Sequence, residues 1–252
     1  MKEVFMDRMS WKDLEKAASG GYVLTLVVGS TEQHGPHLPL GVDVFIPMGI
    51  AERVAKNIKG IVAPPITYGY YSQPRSGGGQ TFIGTTSVSS SCLLSLITDI
   101  MTEFLRHGFR KFLIINGHFE NMPIISEGVE KALDPTNRSH VKVLILNYWD
   151  LITEDVIEKV FHKDFPGWDV EHASIAETSM MMLLRPDIVQ MDKATDDMAQ
   201  RRLRYDVIPP PKEILTKSGV LWKATLASRE KGQLLLDTAV REIVAAVKRD
   251  LL

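Results

Sequence analysis

Two short segments of the sequence each carry one histidine and one carboxylate, two positions apart. Glu32 and His34 lie in one segment, and His118 and Glu120 lie in the other, in the opposite order. In extended backbone the side chains of residues i and i+2 point the same way, so each pair can reach a single centre. Asp43 follows the first pair closely and could bridge the two pairs. Imidazole and carboxylate are metal ligands, so the spacing indicates a metal site.

These five side chains suit two divalent cations better than one. Two histidines and three carboxylates are more anionic ligation than a single zinc ion normally receives. They fit a pair of ions that share a carboxylate and a water, with Zn²⁺ or Mn²⁺ as the metals. A lone histidine after a strand is more often a structural residue, and a glutamate in a turn is usually solvated. The matched spacing of the two pairs favours the metal site.

A third polar segment, Gly167–His172, offers a group that can move protons. Hydrolysis at such a centre needs a proton carrier between the water and the leaving nitrogen, and a histidine beside a carboxylate does this near neutral pH. We expect His172 in this role. Three acidic residues are candidates for orienting it: Asp169, Glu171 and Glu177. The alternative interpretation is a helix N-terminus, where acidic side chains offset the helix dipole.

Other residues of these types have a weaker case. Trp149 and Trp168 are candidate walls of a small pocket, although a buried tryptophan is by default part of the core. Four histidines lack a carboxylate at the spacing described above and are predicted to be surface or capping residues: His37, His107, His140 and His162.

A parallel sheet is needed to bring these segments together. Short apolar runs predict strands at Tyr22–Val28, Ile61–Ala63, Lys111–Ile115 and Val141–Asn147. Between and after them, helical patterns lie at Ile46–Ile58, Ser89–His107, Pro123–Leu133, Ser174–Leu184 and Gln233–Leu252. This alternation predicts an α/β fold, a three-layer α/β/α sandwich with a mainly parallel central sheet, in one domain spanning 1–252. Ligands of such folds bind beyond the carboxyl ends of the strands, where both histidine–carboxylate pairs stand.

Composition excludes several classes of partner. The net charge of −2 provides no field that would draw the molecule onto nucleic acid or anionic lipid. No segment approaches the roughly 20 apolar residues of a membrane span, and the N-terminus lacks a signal-peptide core. The single cysteine, Cys92, fits a reducing compartment. We therefore expect a soluble, cytoplasmic protein that acts on a small molecule.

Five stretches along almost the whole chain resemble the creatininase (creatinine amidohydrolase) family. They are Gly29–Asp43, Ser72–Ser87, Asn116–Asn121, Gly167–Ser179 and Ala227–Gly232. The resemblance implies a binuclear centre with Glu32 and His118 on one ion, His34 and Glu120 on the other, and Asp43 bridging. It also implies homo-oligomers, commonly hexamers. The family's namesake enzymes open creatinine to creatine.

The resemblance also implies roles around the metals. It places Ser76, Phe119, Trp168, Asp169 and His172 against the substrate. The expected catalytic side chains are His172, which moves protons, with Glu120 and Glu171. Phe119 departs from the family's creatinine hydrolases, which carry a tyrosine there. The missing hydroxyl removes a possible hydrogen bond to the substrate and could change specificity.

Three hypotheses about function follow. The first is a metal-dependent cyclic amidohydrolase that opens creatinine to creatine. The second keeps the site but cleaves a carbon–carbon bond of a cyclic diketone from inositol catabolism, as a 3-dehydro-scyllo-inosose hydrolase does, and Phe119 motivates it. The third is a non-catalytic metal- or nucleotide-binding α/β protein. The sequence contains no dinucleotide fingerprint or Walker lysine motif that would indicate a bound nucleotide, and no nucleophile elbow that would indicate a serine hydrolase.

Overall fold

The computed structural model describes residues 3–73, 76, 79–133, 138–205 and 207–252. Seven α-helices and a four-stranded sheet lie in this part of the chain. The helices are α1 Trp11–Ser19, α2 Val42–Asn57, α3 Ser90–Arg106, α4 Met122–Ala132, α5 Glu154–Phe161, α6 Ile175–Leu184 and α7 Arg229–Asp250. The strands are β1 Val23–Val28, β2 Gly60–Val62, β3 Lys111–Asn116 and β4 Lys142–Asn147. Within the stretch Ser72–Ser87, Pro74, Arg75, Gly77 and Gly78 lie outside the described residues.

The sheet has the order β2-β1-β3-β4, and its strand pairs are parallel. Successive side chains of β1 point to opposite faces: Val23 and Val27 pack in one core, and Leu24 and Leu26 in the other. The first core also contains buried residues of α2, α5, α6 and α7, and the second contains those of α1, α3 and α4. The predicted three-layer α/β/α sandwich is confirmed.

Helix α2 begins earlier than the sequence pattern predicts. We expected a start at Ile46, with Pro47 in the first turn, but the helix begins at Val42 and Pro47 lies inside it. Proline has no N–H to donate to the carbonyl four residues earlier, here that of Asp43. This start places Asp43 in the first turn of α2, directly above the sheet edge that carries the two histidine–carboxylate pairs.

Helix α7 also begins earlier than predicted, at Arg229 instead of Gln233. Ser228 caps it, because its side chain accepts a hydrogen bond from the amide of Lys231. The other predicted strands and helices end within one or two residues of the observed ones. No helix of the described residues is long and apolar enough to cross a membrane.

Candidate metal centre and active site

The register of the sheet brings the two histidine–carboxylate segments together. Val28 and Asn116 are direct neighbours at the ends of β1 and β3. Beyond this point, the side chain of Asn121 donates to the carbonyl of Gly29 at 3.0 Å and so ties the second segment to the first. The Asn116 amide donates to the carbonyl of His118 at 2.7 Å and fixes the turn that presents this histidine.

His34 is fully buried and has one ring nitrogen free for a ligand. Its Nδ1 donates to the carbonyl of Glu32 at 3.0 Å, so Nε2 is the remaining atom. Nε2 lies 3.1 Å from Oδ1 of Asp43 and 3.6 Å from Oε2 of Glu177. Burial alone would lower the pKa of His34, but these two carboxylates outweigh it and raise the pKa well above its usual value.

His118 presents its other nitrogen to the same centre. Its Nδ1 lies 3.1 Å from Oε2 of Glu32 and 3.2 Å from Oδ2 of Asp43. Its Nε2 lies 3.0 Å from the carbonyl of Tyr70 and 3.1 Å from Oε2 of Glu120. A hydrogen bond from Nε2 to a carbonyl leaves Nδ1 as a ligand atom, which is the usual outer support of a metal-binding histidine. Burial opposes its protonation, yet the surrounding carboxylates raise the pKa of His118 well above its usual value.

Asp43 lies between the two histidines, with one carboxylate oxygen toward each. Burial would raise the pKa of Asp43, but both imidazoles favour the charged form and hold the pKa well below its usual range. The side chain is therefore a buried carboxylate, and each of its oxygens faces one of the two candidate metal-binding histidines. This is the position expected for a residue that bridges two cations.

Unpartnered buried atoms test whether this cluster fits metal ions. Oε1 of Glu32, Nε2 of His34 and Oδ2 of Asp43 are buried without a hydrogen-bond partner, although their neighbours lie close. Buried polar atoms are normally paired, and buried carboxylates need positive charge beside them. The raised pKa values show that protons would supply this charge in the absence of cations. Divalent cations are a better match for so many ligand atoms, and the residues fit them.

The candidate ligand atoms fall into two groups, and the group around His34 differs from the one that the family resemblance implies. Glu32, Asp43 and His118 form the first group, and His34, His172 and Glu177 form the second. The resemblance places Glu120 with His34, but Glu120 lies beside His118, and Glu177 is the carboxylate beside His34. Sequence reasoning considered Glu177 only as an orienting group for His172. The available signal was that Glu177 is the single charged residue of α6, a helix whose first seven residues are buried.

Glu120 is held by Gln73 and Ser76. Its Oε1 accepts a hydrogen bond from the amide of Gln73 at 3.0 Å and a second, short one from the hydroxyl of Ser76. Ser76, expected to contact the substrate, therefore contacts a carboxylate that the resemblance implies as a ligand. Ser76 and Glu120 line the same cavity, so the Ser76 hydroxyl can contact a bound substrate as well as Glu120.

A cavity of about 40 Å³ lies over the cluster, and nearly all the predicted site residues line it. Lining it are Glu32, Asp43, Ser76, His118, Phe119, Glu120, Trp149, Trp168, Asp169, Glu171, His172 and Glu177. The ring of Phe119 stacks on Trp149 with centroids 6.3 Å apart and an interplanar angle of 14°. Two flat aromatic surfaces beside the ligand cluster favour a small planar substrate.

Glu171 is a buried carboxyl group beside a second one. Burial and the charge of Glu177 raise the pKa of Glu171 to about 8. Its Oε1 accepts a hydrogen bond from the amide of Ala176 at 2.7 Å, in the first turn of α6. Glu171 thus holds the start of the helix that carries Glu177, and it does so as a group able to exchange a proton near neutral pH.

His37 is not the surface or capping residue that its spacing predicts. It is fully buried, and its Nε2 lies 2.9 Å from the hydroxyl of Thr178 in α6. Burial and the neighbouring His34 lower its pKa to about 4, so the ring is neutral. The contact ties the loop of His34 to the helix of Glu177, which no local pattern could reveal. His107, His140 and His162 are exposed, as predicted.

The creatininase family model, described as creatinine amidohydrolase, matches residues 7–247. The chain belongs to the creatininase family. This confirms the resemblance deduced from the sequence.

Individual members of the creatininase family align over nearly the whole chain. Creatinine amidohydrolase of Pseudomonas putida is 40% identical over 254 residues, which is 99% of this chain and 98% of the relative. A creatininase structure of Zn–Zn type has a TM-score of 0.94 at 40% identity, covering 99% of this chain and 98% of that one. A manganese creatininase has a TM-score of 0.93 at 40% identity, covering 98% of each chain. The 3-dehydro-scyllo-inosose hydrolase of Thermotoga maritima is more distant, 28% identical over 91% of this chain and 78% of its own length.

Proposed function

We propose that this protein is a creatinine amidohydrolase that uses two divalent metal ions, Zn²⁺ or Mn²⁺, to open creatinine to creatine. The observation that carries the proposal is Asp43, whose two carboxylate oxygens face His34 and His118 across the cluster. The 40% identity to a creatinine amidohydrolase over 99% of the chain supports the substrate.

The proposed ligands follow from the distances. Glu32, Asp43 and Nδ1 of His118 would hold one ion, and His34, Glu177 and Asp43 would hold the other. Glu120 lies against the opposite ring nitrogen of His118, Nε2, outside both groups. Such ions supply Lewis acidity toward a water molecule and the ring carbonyl. The assignment differs from the family expectation only in the carboxylate beside His34. His172 lies in the same group as His34 and Glu177, but we assign it to proton transfer and not to metal binding.

The remaining side chains of the cavity orient the substrate and move its proton. Phe119, Trp149 and Trp168 provide apolar surface for a planar ring. The carboxylate of Asp169 can accept hydrogen bonds from the guanidine-like nitrogens, and Ser76 can donate one. In the reaction, water adds to the ring carbonyl, the carbon–nitrogen bond breaks, and His172 returns one proton to the leaving nitrogen. Glu171 and Glu120 are proposed to assist in this proton transfer.

The test is direct. Purified protein freed of metal and then loaded with Mn²⁺ or Zn²⁺ should convert creatinine to creatine, measured by chromatography, and the metal-free protein should not. Absence of creatine with either metal contradicts the proposal. Metal analysis should find two ions per subunit.

A second candidate function rests on Phe119. This residue is 40% exposed at the cavity and offers no hydroxyl to a substrate. The alternative is cleavage of a carbon–carbon bond in a cyclic diketone, as in the inosose hydrolase, where the same proton carrier would serve the carbon leaving group. Incubating the metal-loaded protein with 3-dehydro-scyllo-inosose and creatinine in parallel distinguishes the two.

We also propose that residues 1–252 form one domain and that the protein is a cytoplasmic homo-oligomer, a hexamer by family resemblance. Helices from both ends of the chain, α1 and α7, cover opposite faces of one sheet, which supports a single domain.

The side chain of Ile83 is completely exposed, an apolar surface suited to a subunit contact in the proposed oligomer. The free thiol of Cys92 is consistent with a reducing compartment. Light scattering after size exclusion would measure the subunit number.

A further inference from the structure

Gln33 is a buried residue of the site with no part in the chemistry described above. It stands between Glu32 and His34, and only 5% of it is exposed. Two of its atoms reach the same ring nitrogen of His172, which is 139 residues away in the chain. The main-chain carbonyl oxygen of Gln33 lies 2.9 Å from Nε2 of His172, and the side-chain amide nitrogen lies 3.0 Å from it.

The orientation of the Gln33 amide is determined by two other contacts. Its Oε1 accepts a hydrogen bond from the amide of Gly35 at 2.9 Å, and its Nε2 donates to the carbonyl of Gly219 at 3.0 Å. The amide group has two hydrogens, so one remains for His172. Gln33 therefore offers Nε2 of His172 both an acceptor and a donor. A protonated Nε2 donates to the carbonyl, and an unprotonated Nε2 accepts from the amide.

These contacts decide which nitrogen of His172 serves the cavity. With Nε2 occupied by Gln33, Nδ1 is the remaining polar atom of a ring that lines the cavity. The ring also lies 4.3 Å from that of His34, centroid to centroid, at an angle of 38°. We propose that Gln33 is a positioning residue for His172: it holds the ring with Nδ1 available to the substrate and satisfies Nε2 in either neutral form. This inference rests on the proposed function, in which His172 carries the proton.

The turn that carries Gly219 fits the same purpose. Gly219 has a φ of +82°, and a Cβ atom there would stand 1.8 Å from Oε1 of Gln33. Two residues later, the amide of Leu221 donates to the carbonyl of His172 at 3.1 Å. The side chain of Asp197 anchors the turn by accepting from the hydroxyl of Ser218 at 2.8 Å. One turn therefore contacts both Gln33 and His172.

The principal variant is Gln33→Met, which keeps the length of the side chain and removes its polar atoms. Loss of an outer hydrogen bond to a functional histidine typically costs about 10–100-fold, so we expect kcat for creatinine to fall by about that factor. We expect KM to change by less than about threefold, because substrate contacts remain. Two metal ions per subunit should be retained.

Two further variants separate positioning from general destabilisation. Gly219→Ala displaces the same amide from the opposite side and should lower kcat in the same way. Gln233→Met makes the same side-chain change at an exposed position of α7, where the amide donates to Asp237, and should keep the kcat of the wild type. In a His172→Ala background, Gln33→Met should cost nothing further, because its effect passes through the missing ring. A full additional loss in the double variant overturns the proposal.

A measurement that does not use activity keeps the two proposals distinguishable. In protein labelled with ¹⁵N-histidine, the Nε2 resonance of His172 should shift in Gln33→Met while those of exposed histidines stay in place. An unchanged resonance contradicts the positioning role, as does an unchanged kcat. If the resonance shifts in Gln33→Met but the wild type never turns over creatinine, the proposed function fails and the contact stands. Should Gln33→Met not fold, Gly219→Ala provides the same two readouts.

Discussion

The main-chain carbonyl of Asp43 lies against Gly117 so closely that a Cβ atom there would stand 2.1 Å from the carbonyl oxygen. Gly29 approaches the same oxygen from the end of β1, where a Cβ would stand 2.3 Å away. Pro47 has no N–H to offer this oxygen within the helix. The start of α2 can therefore sit directly on both strand ends, and this contact sets the height of the Asp43 carboxylate over the site.

Replacing Gly117 with alanine should disturb the proposed centre through main-chain displacement. The added methyl group meets a backbone atom, which cannot move aside as a flexible side chain does. We expect unfolding to become easier by about 1–3 kcal/mol, as for other overpacked sites, and metal content to fall. Thermal unfolding and metal analysis measure the two effects. Gly21→Ala is the control: its φ of +68° carries strain but nothing lies near the new Cβ, so stability should fall while metal content stays normal.

Asp43→Asn should abolish the shared ligand while nearly preserving side-chain volume. The neutral amide removes the negative charge between His34 and His118, so at least one metal ion should be lost. Because outer-sphere changes already cost about 10–100-fold, activity should fall by at least about 100-fold. Asp187→Asn is a matched control at an exposed ion pair with Arg185, where the contribution is small. Full metal content and activity in Asp43→Asn would contradict the bridging role.

Phe119→Tyr restores the tyrosine that the family's creatinine hydrolases carry at this position. The side chain is partly exposed at the cavity and stacks on Trp149, so a hydroxyl can be added without filling the core. One added hydrogen bond is worth about 0.5–1.5 kcal/mol, which predicts a roughly 2–10-fold higher kcat/KM for creatinine. The same change should not improve turnover of 3-dehydro-scyllo-inosose. A parallel gain with both substrates would show that the hydroxyl does not determine specificity.

Removal of metal should destabilise the fold as well as stop catalysis. Chelation leaves the carboxylates of Glu32 and Asp43 buried with only protonated histidines as partners. A ligand present at 100 times its dissociation constant stabilises the native state by about 2.7 kcal/mol, so the melting temperature should fall on chelation. Adding Mn²⁺ or Zn²⁺ back should restore both melting temperature and activity, whereas Mg²⁺ at the same concentration should restore neither fully. A melting temperature insensitive to chelator would contradict metal binding at this buried cluster.

Much of the fold could be predicted because it follows from local periodicity. The apolar runs at 23–28 and 111–116 are strands, and their alternation with amphipathic helices implies a parallel sheet. The predicted starts of α2 and α7 lay four residues too late. Hydrophobic periodicity does not register a helix cap or a proline that is tolerated inside a helix. Pro47 lies inside α2, and the carbonyl of Asp43, which loses its helical partner there, lies against Gly29 and Gly117 at the sheet edge.

The amino-acid sequence by itself determined which side chains could serve the site: the i, i+2 spacing of Glu32 with His34 and of His118 with Glu120 is a local property of extended backbone. Tertiary structure alone decided how they combine. It placed Glu177 beside His34 and Glu120 beside His118. It also buried His37 against Thr178 and brought Nε2 of His172 into hydrogen-bond contact with Gln33. These pairings join distant parts of the chain, and they depend on strand register and helix packing, in which a shift of a single residue changes which atoms meet.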